Sequence, residues 1–482
     1  MTTVVLVCAD GSPCGEESSP PRAVSGLCAR PEPIRELAAE ADRLVLGLCG
    51  GRYSLGDVQR EARRAGLDPL GVEIVDLDDA GGESERLELI LAAATARAEA
   101  FTGSRPEQTK LSFPGHASRR ALLTFSIPEY QAAPAIDESR CAAARGCHAC
   151  VEVCPRGAIT LVGGRVRHDR SNCEPCGRCV TACPTGAVEN PAATPAQVEA
   201  QVPALLDPSI GPTGPRGIVY RCRRSDRAEI APGWYPVTVP CTGMLAPAWL
   251  LAPLLLGAGS VAARPCAAGG CPLAHDDLVL ERVQWCREFL FAAGQSPFRI
   301  VTNPETGPPL DPVAAAAPLD PFGPLGAAGV LAAVAETTGT DDLLFTHPDS
   351  PLGLVEIDPT ACTGCATCAA ACPTGALVGG DQAGRRSITF DASRCVACGL
   401  CMRRCPEVGQ GAIQIRPVVD VRRLREGRMR LFGSDLVTCR SCGGPLAPAA
   451  MLSRIGGLID DARIMAVVGG SCSSCRGVPV GV

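Results

Sequence analysis

The chain has 482 residues, 46% of them apolar and 20% charged, with a net charge of -6. That length predicts several globular domains, and the acidic balance excludes the basic surface that a nucleic-acid partner requires. Lys110 is the single lysine and no P-loop glycine precedes it, so Walker-type nucleotide hydrolysis and lysine Schiff-base chemistry are excluded as well.

The 29 cysteines fall into spaced sets. The opening MTTVVLVCAD has no basic, apolar leader, which predicts a reducing cytoplasm and sets thiol chemistry above disulfides. Residues 1–130 read as a parallel α/β domain with strands TVVLVC, AVSGLC, RLVLGLC and LGVEIVDL and helices near Pro31 to Ala41, Leu55 to Ala65 and Glu83 to Phe101. Cys8, Cys28 and Cys49 then stand at strand ends, with Cys14 on the first loop, where such sheets gather ligands. The alternatives are cluster binding and small buried hydrophobes.

Residues 131–195 carry Cys141, Cys147, Cys150 and Cys154-Pro155, then Cys173, Cys176, Cys179 and Cys183-Pro184. The second run is the C-x-x-C-x-x-C-x-x-x-C-P pattern of two-cluster ferredoxins. In the first run five residues stand between Cys141 and Cys147 where two are usual, so the spacing supports Cys141 least. Three closely spaced thiolates wrap one face of a cubane while the proline-stopped cysteine reaches the other cluster. Cys183 therefore joins the first set and Cys154 the second. His148, inside a cluster loop, is expected to tune potential as a neighbour. Pro191 to Pro215 and Asn303 to Pro324 read as linkers, the latter followed by a helix at Leu325 to Glu336.

Residues 214–346 repeat the α/β grammar: GIVYRC to Cys222, YPVTVPC to Cys241, SVAARPC to Cys266, Cys271 beyond a glycine loop, and FRIV as a further strand. Helices at Met244 to Leu256 and Asp276 to Ala293 supply the crossovers. These four thiols predict a small cluster, whereas Cys286, in helical register with Val279, Val283 and Leu290, predicts core packing. From Pro232 to Ala263 no side chain is charged; two internal prolines and a break at Gly257 favour a buried helix and strand over a membrane span. Gly257-Ala-Gly259-Ser-Val-Ala262 imitates a dinucleotide fingerprint but runs from helix to strand, the reverse of what a phosphate site needs.

Residues 347–420 carry the cleaner dicluster pattern: Cys362, Cys365, Cys368 and Cys372-Pro373, then Cys395, Cys398, Cys401 and Cys405-Pro406. By the same crossing, Cys405 completes the first site and Cys372 the second. Residues 428–482 hold Cys439-Arg-Ser-Cys442 and Cys472-Ser-Ser-Cys475, two knuckles that predict a zinc-ribbon-like four-thiolate site, with a further iron–sulfur cluster as the alternative. No acid–base or nucleophile constellation emerges. The expected class is α/β plus α+β multidomain: two small parallel α/β domains alternating with two 2[4Fe-4S] ferredoxin-like modules, and a C-terminal metal-binding segment.

On these motifs, the first domain resembles the amino-terminal domain of the heterodisulfide reductase A subunit, through Cys8, Cys28-Ala-Arg-Pro31 and Cys49-Gly-Gly-Arg52. The middle domain resembles the delta iron–sulfur subunit of methyl-viologen-reducing hydrogenase, through Cys241-Thr-Gly243 and Ser260 to Cys271, with Gly269-Gly270 in place of that subunit's glycine-aspartate. The resemblance implies a [2Fe-2S] cluster in the middle domain and partners of flavoprotein, hydrogenase or formate dehydrogenase type. No thioredoxin-reductase-like flavin domain lies between the modules, so flavin-based bifurcation is not expected within the chain. The expected function is an iron–sulfur electron-transfer subunit; the alternative is an assembly scaffold whose clusters are structural.

Overall fold

The computed structural model describes residues 2–11, 21–103, 106–112, 128–224, 230–265, 273, 276–304, 307–313, 318 and 320–476. The chain forms two compact units, one of Met1–Cys141 with His148–Thr340, the other of Ala142–Cys147 with Asp341–Val482.

The first unit contains two four-stranded sheets of the same design. In the amino-terminal one, Thr3–Cys8 lies between Arg22–Val24 and Arg43–Leu48, with Val72–Asp76 at the far edge, and all pairs are parallel. The middle sheet places Gly217–Cys222 between Trp234–Val239 and Ser260–Ala263, with Ile300–Val301 outermost, again all parallel. Parallel strands covered on both faces need near-continuous apolar runs, and RLVLGL and GIVYRC supply them. In both sheets the chain begins in the interior and then winds outward to either side. A crevice therefore opens at the carboxyl ends of the first and third strands, where chain direction switches.

The helix Leu55–Arg64 is capped by Ser54, whose hydroxyl accepts from the Asp57 N–H at 3.4 Å. Ser84–Glu99 packs against Pro195–Leu206. The latter corrects the linker expected over Pro191 to Pro215: Thr194 and Gln197 form a capping box, Pro195 occupies the first turn, and Val198, Val202 and Leu205 are fully buried. The strand expected to reach Cys28 stops at Val24, leaving Cys28 in the following turn, and the helix expected over Pro31 to Ala41 is the single turn Ile34–Leu37. The uncharged stretch forms the buried helix Pro247–Leu255 and strand Ser260–Ala263. Among the described residues no helix is long and apolar enough to cross a membrane.

The two dicluster segments share a plan. In each, a strand ahead of the cysteines pairs antiparallel with one behind them: Ala135–Ile136 with Val188–Glu189, and Gly353–Ile357 with Ile413–Asp420. Each also has a hairpin between its halves, Ile159–Val162 with Arg165–His168 and Leu377–Gln382 with Arg385–Asp391. In the second unit this hairpin is extended by Arg428–Thr438 and then Pro445–Pro448. Phe432, from that added strand, is 4% exposed in a core with Val355, Ile388, Phe390, Ile413 and Val418. The carboxyl-terminal segment thus continues the sheet of the second dicluster segment. The architecture is mixed α/β, with two cysteine-rich segments of one plan.

Candidate iron–sulfur and metal centres

In the second unit, two short helices, Thr367–Ala371 and Leu400–Arg404, carry the third cysteine of each run, and the loops before them turn through left-handed backbone. Gly364 and Ala366 (φ 69° and 58°) in the first run correspond to Ala397 and Gly399 (φ 51° and 70°) in the second. This doubled left-handed turn directs the flanking thiols to one side. Two alanines holding a conformation that costs about 1 kcal/mol show that the surroundings impose it.

The thiols of the two runs raise one another. Cys368 is pushed up to about 12, first by burial and then by Cys362, Cys365 and Cys405. Cys401 is likewise pushed up to about 12, by burial and then by Cys395, Cys398, Cys368 and Cys372. Cys395 rises to about 11 through burial, Cys398 and Cys372. Cys405 thus acts on the Cys368 thiol and Cys372 on those of Cys395 and Cys401, in the sense of the expected crossing, while Cys368 also acts on Cys401. Buried thiols that raise each other's pKa form thiolates only when a cation compensates them, which is the service iron performs.

The first dicluster segment follows the same pattern in its second half. Cys179 is pushed well up by burial and by Cys176, Cys173, Cys150 and Cys154; Cys173 rises to about 12 through burial, then Cys176, with Cys154 contributing. Cys150, Cys179 and Cys183 are buried in one apolar cluster against which Cys141 and Cys154 pack, and Cys147 is half-buried. Backbone N–H groups point at the proline-flanked sulfurs: Ala158 donates to Cys154 Sγ and Ala187 to Cys183 Sγ, each at 3.2 Å. Sequence spacing gives no sign of these donors. His148 pairs with Glu152 at 2.9 Å across one turn of the helix Ala149–Glu152.

In the amino-terminal sheet the Sγ atoms of Cys8, Cys28 and Cys49, all buried, lie within 4.8 Å of one another. Cys8 ends the first strand and Cys49 follows the third, so both stand at the crevice where the sheet switches direction. The Cys49 N–H donates to Cys28 Sγ at 3.1 Å. Burial pushes the Cys28 thiol up; at Cys8 burial is also the largest influence, but the N–H groups of Cys28 and Asp10 together with the Cys28 and Cys49 thiols outweigh it and hold the thiol low. Three buried thiols this close are a soft-metal donor set. Cys14 lies outside the described residues.

In the middle sheet Cys222 ends its strand and Cys241 lies two residues beyond the neighbouring one, both buried. Cys241 Sγ accepts from the Gly243 N–H at 3.3 Å, and its thiol is pushed up, first by a hydrogen bond with the Cys222 side chain and then by burial. Cys266 and Cys271 lie outside the described residues. Cys286 is fully buried with Val279, Val283 and Leu290 on the helix Asp276–Ala292, a packing position.

The 3-10 turn Thr242–Met244 rests on the ligand helix Arg178–Thr181 of the first dicluster segment. Thr181 Oγ1 donates to the Met244 carbonyl at 2.7 Å, and Arg282 holds the turn from behind through the Gly243 and Leu245 carbonyls at 2.7 and 2.6 Å. A Cβ on Gly177 would come within 2.8 Å of Met244 Sδ, so the loop after Cys176 touches this turn at van der Waals distance. Negative charge on Cys176 is felt at Cys241.

At the carboxyl end, Cys439 and Cys442 flank the tip between Arg428–Thr438 and Pro445–Pro448, and Cys472 and Cys475 follow the helix Ala462–Val468. All four Sγ atoms lie within 4.8 Å of one another, with Cys442 and Cys472 at 3.7 Å. A tetrahedral metal with thiolates at about 2.3 Å has an S···S edge of about 3.8 Å, so the four thiols fit a single ion. The N–H of Cys472, followed by those of Cys442 and Ser441, lowers Cys439 to about 6. None of the sixteen dicluster thiols belongs to so tight a group among the described residues.

Two segments of the chain, residues 127–187 and 361–409, match the 4Fe-4S dicluster domain family, and each spans one complete eight-cysteine set. No curated protein matches the chain. With its clustered cysteines, the chain is thus an iron–sulfur protein of ferredoxin-like type, built to hold multiple [4Fe-4S] clusters in two dicluster domains.

Proposed function

We propose that the chain is an electron-transfer subunit of a cytoplasmic oxidoreductase complex, in which the dicluster and α/β domains form a relay. The observation that carries this reading is the contact of the Cys176-Gly177 loop with the turn from Cys241 to Met244. Tunnelling falls steeply with distance, so adjoining ligand loops offer a short step, and clusters that only staple a fold have no use for such a contact. Iron–sulfur clusters supply one-electron chemistry when bound. The chain's part is to exclude water and to direct N–H donors, such as those of Ala158 and Ala187, at ligand sulfurs, which favours the more negative reduced state.

In this reading the sixteen dicluster thiols hold four [4Fe-4S] clusters in the crossed grouping. Cys222, Cys241, Cys266 and Cys271 hold a [2Fe-2S] cluster, Cys8, Cys14, Cys28 and Cys49 hold a further cluster, and Cys439, Cys442, Cys472 and Cys475 hold zinc. The assignment of the two α/β domains follows their resemblance to the heterodisulfide reductase A and hydrogenase delta subunits, as do the partners: a flavoprotein and a hydrogenase- or formate dehydrogenase-like donor.

Anaerobically purified protein is expected to carry about sixteen iron atoms in the dicluster domains alone. Its clusters should reduce reversibly at low potential, and clusters that stay oxidised throughout a titration would favour the scaffold instead. Cys372→Ser should damage the cluster of Cys395, Cys398 and Cys401, and a loss confined to the cluster of Cys362 would contradict the crossed grouping.

A further inference from the structure

The chain has 45 lysine and arginine residues, of which Lys110 alone is a lysine. It sits on the strand Thr109–Ser112, paired antiparallel with Glu129–Ala132 ahead of the first dicluster set, and its Nζ donates to the Cys173 carbonyl at 2.6 Å, partly buried. The contact joins residues 63 apart in sequence, so the ribbon delivers the ammonium to the ligand loop. Among the described residues Lys110 forms no ion pair. The nearby carboxylate, Glu174, is taken up by Arg224 at 2.5 Å, so the ammonium charge is left to act on the thiolate set. Arg403 donates to the Cys398 carbonyl at 3.0 Å in the second dicluster domain, but at an exposed position where water screens the charge.

We propose that Lys110 raises the reduction potential of the cluster held by Cys173, Cys176, Cys179 and Cys154, making it the electron-accepting cluster of the first dicluster domain. This rests on the reading that these thiols hold a [4Fe-4S] cluster. Reduction adds one negative charge to the cluster, and a fixed cation beside a ligand stabilises the reduced form more than the oxidised one. The same cluster adjoins Met244 through Gly177, so the raised potential gathers electrons where the first dicluster domain meets the middle sheet.

The test is a redox titration of the full-length protein, purified without oxygen and followed by electron paramagnetic resonance, with Cys179→Ser identifying the signal of this cluster. Lys110→Gln keeps a donor and removes the charge, Lys110→Met removes both, and Lys110→Arg keeps the charge. The Gln and Met variants should lower the reduced-to-oxidised ratio of the Cys179-dependent signal at least tenfold at fixed potential, about 59 mV for one electron. The Arg variant should stay near wild type, and the other signals should not move. An unchanged potential in Lys110→Gln, an equal fall in Lys110→Arg, or a common shift of every cluster would overturn the role of Lys110. If Cys179→Ser leaves iron content and all signals intact, the cluster assignment fails instead.

Discussion

Left-handed positions in the ligand loops are filled by glycine or alanine, and what lies across from each decides which is tolerated. Gly177, at φ 79°, faces Met244 Sδ at 2.8 Å from any added Cβ, so Gly177→Ala combines backbone strain with a clash against the turn that carries Cys241. Ala397, at φ 51°, holds the same kind of turn against its preference. Ala397→Gly should therefore keep full iron occupancy, whereas Gly177→Ala should lose stability by about 1–2 kcal/mol and perturb the visible absorption of the anaerobic protein. Adding Met244→Ala to Gly177→Ala should recover part of the loss. No recovery in the double variant would mean that the Met244 contact does not limit the loop.

At the scale of elements, two contacts hold pieces that look separable in sequence. Asp79, after the last strand of the amino-terminal sheet, receives Arg221 of the middle sheet through both guanidinium nitrogens at 2.7 and 2.5 Å, with side chains 8% and 13% exposed. Arg86 reinforces the junction by donating to the Asp79 and Trp234 carbonyls and lying over the Tyr235 ring at 4.8 Å. Asp79→Ala would leave Arg221 with its charge uncompensated, a loss of about 3 kcal/mol, while the exposed neighbour Asp78→Ala serves as control. Thermal unfolding of the anaerobic protein reads both, and equal midpoints would remove the ion pair from the account of this junction. Phe432 makes the corresponding point in the second unit. Phe432→Ala should cost about 3–5 kcal/mol and release iron from the second dicluster domain, because its ring fills that domain's core. Loss of only the terminal metal, with the clusters intact, would contradict this.

At the scale of the molecule, what the sequence made legible was set by how local each signal is. The dicluster runs could be read because their chemistry is written in spacing, and the central parallel strands because Thr3–Cys8, Arg43–Leu48 and Gly217–Cys222 are largely apolar runs ending at or beside a cysteine. The helix Pro195–Leu206 was hidden because its two prolines read as linker, although Thr194, Pro195 and Gln197 spell a helix start. The strand Arg428–Thr438 alternates exposed and half-buried positions around the buried Phe432, but only pairing with Arg385–Asp391 reveals which core that side enters. Lys110 against Cys173, and Met244 against Gly177, are long-range contacts that no local pattern encodes.

That arrangement also predicts how the molecule responds to metal removal. Cys442 is exposed, so a chelator reaches the terminal four-thiol site directly, whereas Cys368, Cys395 and Cys401 are buried. The strand that carries Cys439 toward the terminal site is anchored along its length to the ferredoxin hairpin, from Arg428 against Asp391 to Asp435 against Arg385. Losing the proposed ion should therefore free the knuckles and the helix Ala462–Val468 without unzipping this sheet. Brief anaerobic treatment of the full chain with a strong zinc chelator should remove about one metal ion. The sixteen or so iron atoms of the dicluster domains and their absorption should remain, and re-added zinc should protect the terminal segment from proteolysis. Loss of iron in step with the terminal ion would mean that the ion, and not the strand pairing, holds the second dicluster domain together.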